Sequence, residues 1–236
     1  MKYFITFVLL VLTLGMNAQL FYLTYGYNGS FTKLSGINEV VDNYNDLRPW
    51  LDKEMGNFNY LDGFSLSVGG AMANVWFDSG FDWRSQKQSA EGTDLYGFYN
   101  TRQLKVKNGS FLLNFGYLDG KGDNVFGLGL RTEIGTIQTQ TRLFGESYEK
   151  DKFEDIGYSH IGARSGPMIK LISRVVKGGP IVTASLYYTW SFLDYNYTRL
   201  DEELNGTFYN YEDSPRFDMR PHSFGFQLSF GFVATP

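Results

Sequence analysis

Alternation with a period of two dominates this chain. Near its end Phe224, Phe226, Leu228, Phe230 and Phe232 take every second position, with Ser223, Gly225, Gln227, Ser229 and Gly231 between them. Successive strand side chains point to opposite faces, so the segment has one large apolar face and one small polar face. A soluble sheet places charges on its solvent face, whereas here the second face carries glycine, serine and glutamine. That combination fits a strand whose apolar side meets lipid and whose other side lines a packed lumen.

Seven further segments share the rhythm. Leu20 to Tyr27 alternates Phe21, Leu23, Tyr25 and Tyr27 with Tyr22, Thr24 and Gly26. From Gly63, Phe64, Leu66, Val68 and Gly70 oppose Ser65, Ser67, Gly69 and Ala71, and a tight turn is expected near Ala73-Asn74. Val75 to about Lys87 sets Val75, Phe77, Phe81 and Trp83 against Trp76, Asp78, Gly80, Asp82 and Arg84. A fourth strand, about Tyr96 to Tyr117, ends with Phe111, Leu113, Phe115 and Tyr117 on one face. Within it Leu104 and Val106 fall on the opposite parity, which predicts a β-bulge near Asn108-Gly109. The fifth places Phe126, Leu128, Leu130 and Ile134 opposite Gly127, Gly129, Arg131, Glu133 and Gly135. In the sixth, Ile161, Ala163, Ile169 and Leu171 oppose Gly162, Arg164, Gly166 and Lys170, and Pro167 interrupts the donors of the ladder. The seventh opposes Val182, Ala184, Leu186, Tyr188, Trp190 and Phe192 to Thr183, Ser185, Tyr187, Thr189 and Ser191.

Between the first two strands the period changes. Leu34, Ile37, Val41, Tyr44 and Leu47 recur at three- and four-residue spacing, which predicts an amphipathic helix with Ser35 as its N-cap. Pro49 ends or kinks it, and Pro49 to Met55 reads as one further short helix stopped at Gly56. This helical insertion covers about residues 34–56.

The connections alternate in length. Short turns are expected near Asn74, at Asp119 to Asn124 and at Lys177 to Pro180, and longer ones at Asn28 to Asp62, Ser89 to Asp94, Phe144 to Gly157 and Asp201 to Pro215. With the first strand running outward from the periplasm, every short turn falls on the periplasmic side, as in outer-membrane barrels. The expected fold is all-β: an eight-stranded antiparallel transmembrane β-barrel with a helical insertion between strands 1 and 2. Ten strands stay open if the long fourth segment hides a hairpin.

The start of the chain agrees with export. Met1-Lys2 precedes the apolar run Tyr3 to Leu14 and then Gly15-Met16-Asn17-Ala18-Gln19, the layout of a secretory signal peptide. Residues 1–18 are expected to be that signal, cleaved after Ala18 or Gln19, and residues 19–236 the barrel. The chain has no cysteine, which removes disulfides, thiol catalysis, thiolate metal sites and lipoprotein processing. Aromatic residues make up 18% although no apolar run outside the leader reaches helix-spanning length, so any membrane crossing must be made by strands. A net charge of −4 leaves no basic stripe for nucleic acid.

Together, the leader ending in Asn17-Ala18-Gln19, the small antiparallel barrel and the terminal strand Phe224 to Phe232 resemble the small outer-membrane β-barrel proteins of Bacteroidetes, similar in architecture to OmpA- and OmpX-type barrels. The resemblance covers essentially the whole mature chain. It implies an outer-membrane location, membrane lipid as surroundings and the barrel-assembly machinery as partner during insertion. Such barrels commonly finish on an aromatic residue, whereas Val233-Ala234-Thr235-Pro236 follow Phe232 here.

Candidate chemistry is sparse. The inferred lumen holds Asp78, Asp82, Arg84, Arg131, Glu133, Arg164 and Lys170. In a bore this narrow, opposite charges neutralise one another as a buried network, the competing readings being a gated ion path or a catalytic carboxylate pair. The two histidines, His160 and His222, lie beside Ser159 and Ser223, but neighbours on one strand face opposite ways, so neither pair makes a dyad by itself. They form no metal set with each other, and no cofactor or catalytic residue is expected. The helix around Ile37, Val41, Tyr44 and Leu47 is read as capping the barrel mouth, lying on the membrane surface or docking another envelope protein; its acidic polar face (Glu39, Asp42, Asp46) disfavours anionic lipid. The expected function is a non-enzymatic outer-membrane barrel, a structural or accessory envelope component, one form of which is a subunit of a larger outer-membrane assembly such as a secretion or insertion machine. The alternatives are a small-solute channel and a lipid-modifying enzyme.

Overall fold

The computed structural model describes residues 20–72, 74–119, 123–146, 148–149, 152–175, 179–206 and 218–234. The expected signal peptide therefore lies outside the described residues, as do parts of the turns at Asp119 to Asn124 and Lys177 to Pro180 and most of the loop after Gly206. The long strands are β1 (Leu20–Thr32), β2 (Tyr60–Met72), β3 (Val75–Thr93), β4 (Tyr99–Asp119), β5 (Asn124–Gly145), β6 (Glu154–Arg174), β7 (Pro180–Ser191) and β8 (His222–Ala234). Each pairs antiparallel with its sequence neighbour, and β8 returns to β1 with Tyr25 opposite Phe230. The ring closes and leaves no sheet edge within the membrane, which is what lets strands cross lipid.

Outside, the predicted apolar faces are exposed. Leu23, Phe64, Phe115, Leu128, Leu186, Phe224 and Phe232 all stand outward, while Ser67, Ser185, Ser223 and Ser229 are buried inside. On β5 the apolar series from Phe126 to Ile134 rises roughly 20 Å at strand pitch and a barrel tilt near 40°, close to the apolar height of membrane barrels. A closed barrel whose exterior is this apolar, with charged side chains buried in its middle, sits in a bilayer; its location is the outer membrane.

Beyond that band the polarity of the strands inverts. Leu104, Val106, Ile137 and Ala90 turn inward and are buried, while Lys105, Lys107 and Gln138 take the outer face. The register of β4 with β3 and with β5 runs without a shift across Asn108 and Gly109, so the bulge expected there is absent. The opposite parity of Leu104 and Val106 has a different cause: β4 is one strand that outruns the bilayer, so its apolar residues change sides where lipid gives way to water. No hairpin interrupts it. A true irregularity lies elsewhere, between Ile137 and Thr139 against β6, beside Gly157 with φ +69°. Pro167 stays in β6 opposite Leu130, and the described pairing with β7 skips Gly166 and Pro167, as a residue without N–H requires.

The membrane-distal end is closed by two helices, α1 (Ser35–Asp46) and α2 (Thr198–Asn205). Three details differ from expectation. Ser35 is the first helical residue, and the N-cap position falls on Leu34 without a side-chain cap. Leu47 is 55% exposed and leaves the buried stripe, which is Ile37, Val40, Val41 and Tyr44 instead; the helix is over by then, and Leu47 no longer keeps its phase. Leu51–Lys53 is a strand rather than a second helix, because the end of β3 offers it Gly92 and Glu91 as ladder partners. α2 runs from Thr198 into the connection expected from Asp201 onward; it is short and its sequence is mostly polar.

Candidate functional site

The lumen carries the charged residues singled out in the sequence, arranged in layers. At the periplasmic end Leu20, Tyr22, Trp76, Leu118, Ile172 and Ile181 form an apolar floor. Just above it Lys170 Nζ lies 2.5 Å from Asp78 Oδ2, the Tyr22 hydroxyl donates to the same carboxylate, and the ammonium sits 4.8 Å from the Trp76 ring centre. Tyr22 belongs to the polar parity of β1, and Trp76 is the one large apolar residue on the inward parity of its strand; both were legible as inward-facing but not as partners of Lys170.

The central layer joins β3 to β5, which are not neighbours, and β5 to the adjacent β6, where Arg164 is the register partner of Glu133. Arg84 Nη2 donates to Glu133 Oε2 at 2.7 Å, Arg131 Nε to Glu133 Oε1 at 2.7 Å, and Arg164 Nη2 lies 2.8 Å from Glu133 Oε2. Asp82 Oδ2 in turn takes Arg131 Nη2 at 3.1 Å and lies 3.0 Å from Arg84 Nε. One carboxylate thus serves three guanidinium groups. Neutral groups occupy further donors: Arg84 Nη1 reaches Ser30 Oγ at 2.8 Å and the Tyr187 hydroxyl at 3.1 Å, and Arg131 Nη1 reaches Gln227 at 3.0 Å. The Arg131 guanidinium also stacks 4.0 Å above the Tyr187 ring, and the Tyr187 hydroxyl donates to Asn28 at 2.7 Å. Gly225 makes room for that ring: a Cβ there would fall 2.3 Å from Tyr187.

All seven predicted lumen residues are buried, yet the structure divides them into two groups, Asp78 with Lys170 and the remaining five. The neutral members Ser30, Asn28, Tyr187 and Gln227 escaped the sequence reading. The inward parity of Tyr187 and Gln227 was visible, whereas Asn28 and Ser30 fell in the connection expected after Tyr27 and belong to a strand that runs on to Thr32; the shear that brings β1, β7 and β8 against β3 and β5 is a property of the closed barrel.

Over this layer sits a second apolar cluster. Ile37, Val40, Val41 and Tyr44 of α1 pack with Leu200 and Leu204 of α2 and with Leu104, Val106 and Ile137 of the barrel wall. Polar side chains bind the plug to itself. Asn38 accepts from the Phe58 N–H at 2.7 Å and Asn45 from the Met55 N–H at 3.0 Å, so two helix side chains satisfy the backbone of the segment that leads to β2. Asn205 donates to Asp201 at 2.6 Å and to the Val40 carbonyl at 3.3 Å, and Arg48 reaches Asn205 at 3.2 Å while stacking 3.9 Å over Tyr44. Burial pushes the Tyr44 phenol above its ordinary range, which keeps it neutral.

Neither serine–histidine neighbour pair assembles a dyad. Ser223 is buried in the lumen against Thr32 at 3.1 Å, whereas His222 stacks outside on Tyr188. His160 is opposite Ile137 in the ladder, and its side chain lies outside the described residues. No cluster of three or more metal-ligating side chains occurs among the described residues.

No protein-family model matches the chain, and no curated protein does. Among solved structures it is similar to Ail, the attachment invasion locus protein of Yersinia pestis, solved with the heparin analogue sucrose octasulfate (10% identity, TM-score 0.45, 91% of this chain and 98% of the other). Neisserial surface protein A is similar at 11% identity (TM-score 0.39, 92% and 97%), and the outer-membrane protein OprG from Pseudomonas aeruginosa at 12% (TM-score 0.40, 93% and 98%). The likeness is one of general architecture, and no activity follows from it.

Proposed function

We propose that this chain is a non-enzymatic outer-membrane barrel that serves as a structural or accessory component of the envelope, holding a rigid head above the membrane for a larger assembly. One observation carries the reading: an apolar floor, a charged layer and an apolar plug follow one another along the bore. Charges held between two dry layers have no continuous water to conduct through, so the bore works as a core, not a path. A membrane barrel needs neither the extended β3 to β6 wall nor two packed helices in order to span lipid. Their presence supports a role for the extracellular head in meeting another envelope protein.

Reconstitution into planar bilayers tests this directly. The expected result is no steady conductance, with partner proteins recovered when the full chain is purified from native membranes; large, stable currents would return the reading to a small-solute channel. A lipid-modifying enzyme is the remaining competitor, and lipid A mass spectra from a deletion strain are expected to match the parent.

A further inference from the structure

The outer wall of the barrel carries a basic feature that neither the lumen nor the plug uses. Leu104-Lys105-Val106-Lys107 alternates inward and outward, so both lysines stand on the exterior. On the adjacent strand Lys87 lies directly opposite Lys105 and Ser85 opposite Lys107. Three ammonium groups therefore share one patch, and like charges placed opposite one another across a ladder destabilise it. Of the nearby acids Glu91 pairs with Lys53 at 2.7 Å, while Asp155 accepts from Gln140 at 2.7 Å and Asp62, which lines the hollow beside the lysines, accepts from Tyr27 at 3.4 Å. The three ammonium groups thus face the single carboxylate of that hollow.

Beside the lysines is a hollow. A groove of about 440 Å³ is lined by Lys105, Lys107, Trp83, Phe64 and Asp62, with Gly109 in its floor. A Cβ added at Gly109 would find nothing nearer than the Trp83 ring at 3.7 Å, so the missing side chain leaves open space. Phe64 and Trp83 stack at 5.0 Å along one wall, and Phe81 continues the aromatic row towards the apolar band.

Height identifies the occupant. Phe111 is the outermost apolar residue on the lipid face of β4, and Lys107 lies four residues further out, about 10 Å higher at strand pitch and barrel tilt. That is head-group depth, where ammonium groups above an aromatic belt meet lipid phosphates. We propose that Lys87, Lys105 and Lys107 with the hollow over Gly109 form a binding site for a phosphorylated lipid of the outer leaflet, its phosphate held by the lysines and its acyl chains running down past Phe81 and Phe111. The site relies on the membrane placement derived above, which co-sedimentation of the chain with outer-membrane fractions reports independently; the gel shift on heating reports that each variant still closes its barrel.

Native mass spectrometry of the full folded chain in detergent, titrated with diphosphorylated lipid A and with the same lipid stripped of phosphate, tests the site. The wild type is expected to retain the phosphorylated lipid at least tenfold more strongly than the stripped one. The triple variant K87Q/K105Q/K107Q and the groove-filling Gly109→Trp are each expected to lose that preference, while K33Q keeps it. All are expected to keep the heat-dependent gel shift, since these side chains lie outside the core. Equal retention by wild type and triple variant, or equal retention of both lipids, overturns the proposal. Inorganic phosphate at millimolar concentration displacing nothing is the expected control; full displacement by phosphate alone overturns the assignment to a lipid.

Discussion

Arg84 on β3 and Glu133 on β5 meet at 2.7 Å inside the bore, although β4 runs between their strands in the wall. The contact bridges over the inner face of β4 and ties non-adjacent strands together. Glu133 also receives Arg131 and Arg164, and in this part of the bore Asp78, Asp82 and Glu133 stand against Arg84, Arg131, Arg164 and Lys170. Cations outnumber anions by one, so the loss of a carboxylate is worse than the loss of a guanidinium.

Glu133→Gln should accordingly cost roughly 3–5 kcal/mol, because it takes from the buried Arg164 its carboxylate partner and leaves Arg84 and Arg131 to share Asp82. Arg164→Met, which leaves Glu133 with two partners, should cost distinctly less. Urea unfolding in lipid vesicles followed by the heat-dependent gel shift measures both; a larger loss for Arg164→Met would contradict the charge arithmetic.

The lipid face gives a second expectation. Leu128 and Leu186 are exposed at 56% and 49% on the outer wall. Leu128→Arg or Leu186→Arg should each cost roughly 2–4 kcal/mol near the bilayer midplane. Ser185→Ala, one residue away and facing inward, should be mild. Equal losses at Leu186 and Ser185 in the same unfolding assay would show that the faces are misassigned.

A third expectation concerns the plug. Ile37 is fully buried against the barrel wall, and Ile37→Ala should cost about 2–5 kcal/mol of local stability. The readout is hydrogen exchange across Ser35 to Asp46, which should accelerate while the strands of the membrane band stay protected. Leu47→Ala, at an exposed position, should leave the exchange unchanged. Slow exchange in both variants would mean that α1 is held by something other than this apolar cluster.

A fourth uses pH. The Lys53 ammonium, and then the Tyr99 hydroxyl, hydrogen-bond the Glu91 carboxylate and hold it below the usual glutamate range. A depressed folded-state value means that the link from Leu51–Lys53 to β3 is fully present above the ordinary glutamate pKa and is lost as pH falls through the depressed one. An NMR titration of the Glu91 carboxyl should show its midpoint rising in Lys53→Ala. No change in midpoint would remove the ion pair as the cause.

Much of this architecture is written in the alternation itself. A period of two, with large apolar residues from Leu128 to Ile134 on one face and Arg131 and Glu133 on the other, specifies both a membrane strand and which side meets lipid, because pleating sends neighbours to opposite faces whatever the surroundings. The inward position of Asp78, Asp82, Arg84, Arg131, Glu133, Arg164 and Lys170 follows from the same rule. Local sequence is silent on how far a strand travels after it leaves the membrane. Leu104 and Val106 look out of phase until the plug is present to receive them, and only tertiary packing separates a bulge from a change of solvent. Ladder register sets Glu133 beside Arg164 and Tyr187 beside Gly225 on adjacent strands, and the shear of the closed ring decides the rest: it sets which inward residues of non-adjacent strands share a layer, so that Glu133 finds Arg84 and Lys170 finds Asp78. Those last two pairings join residues 49 and 92 positions apart on strands that are not neighbours, distances over which no local pattern carries information.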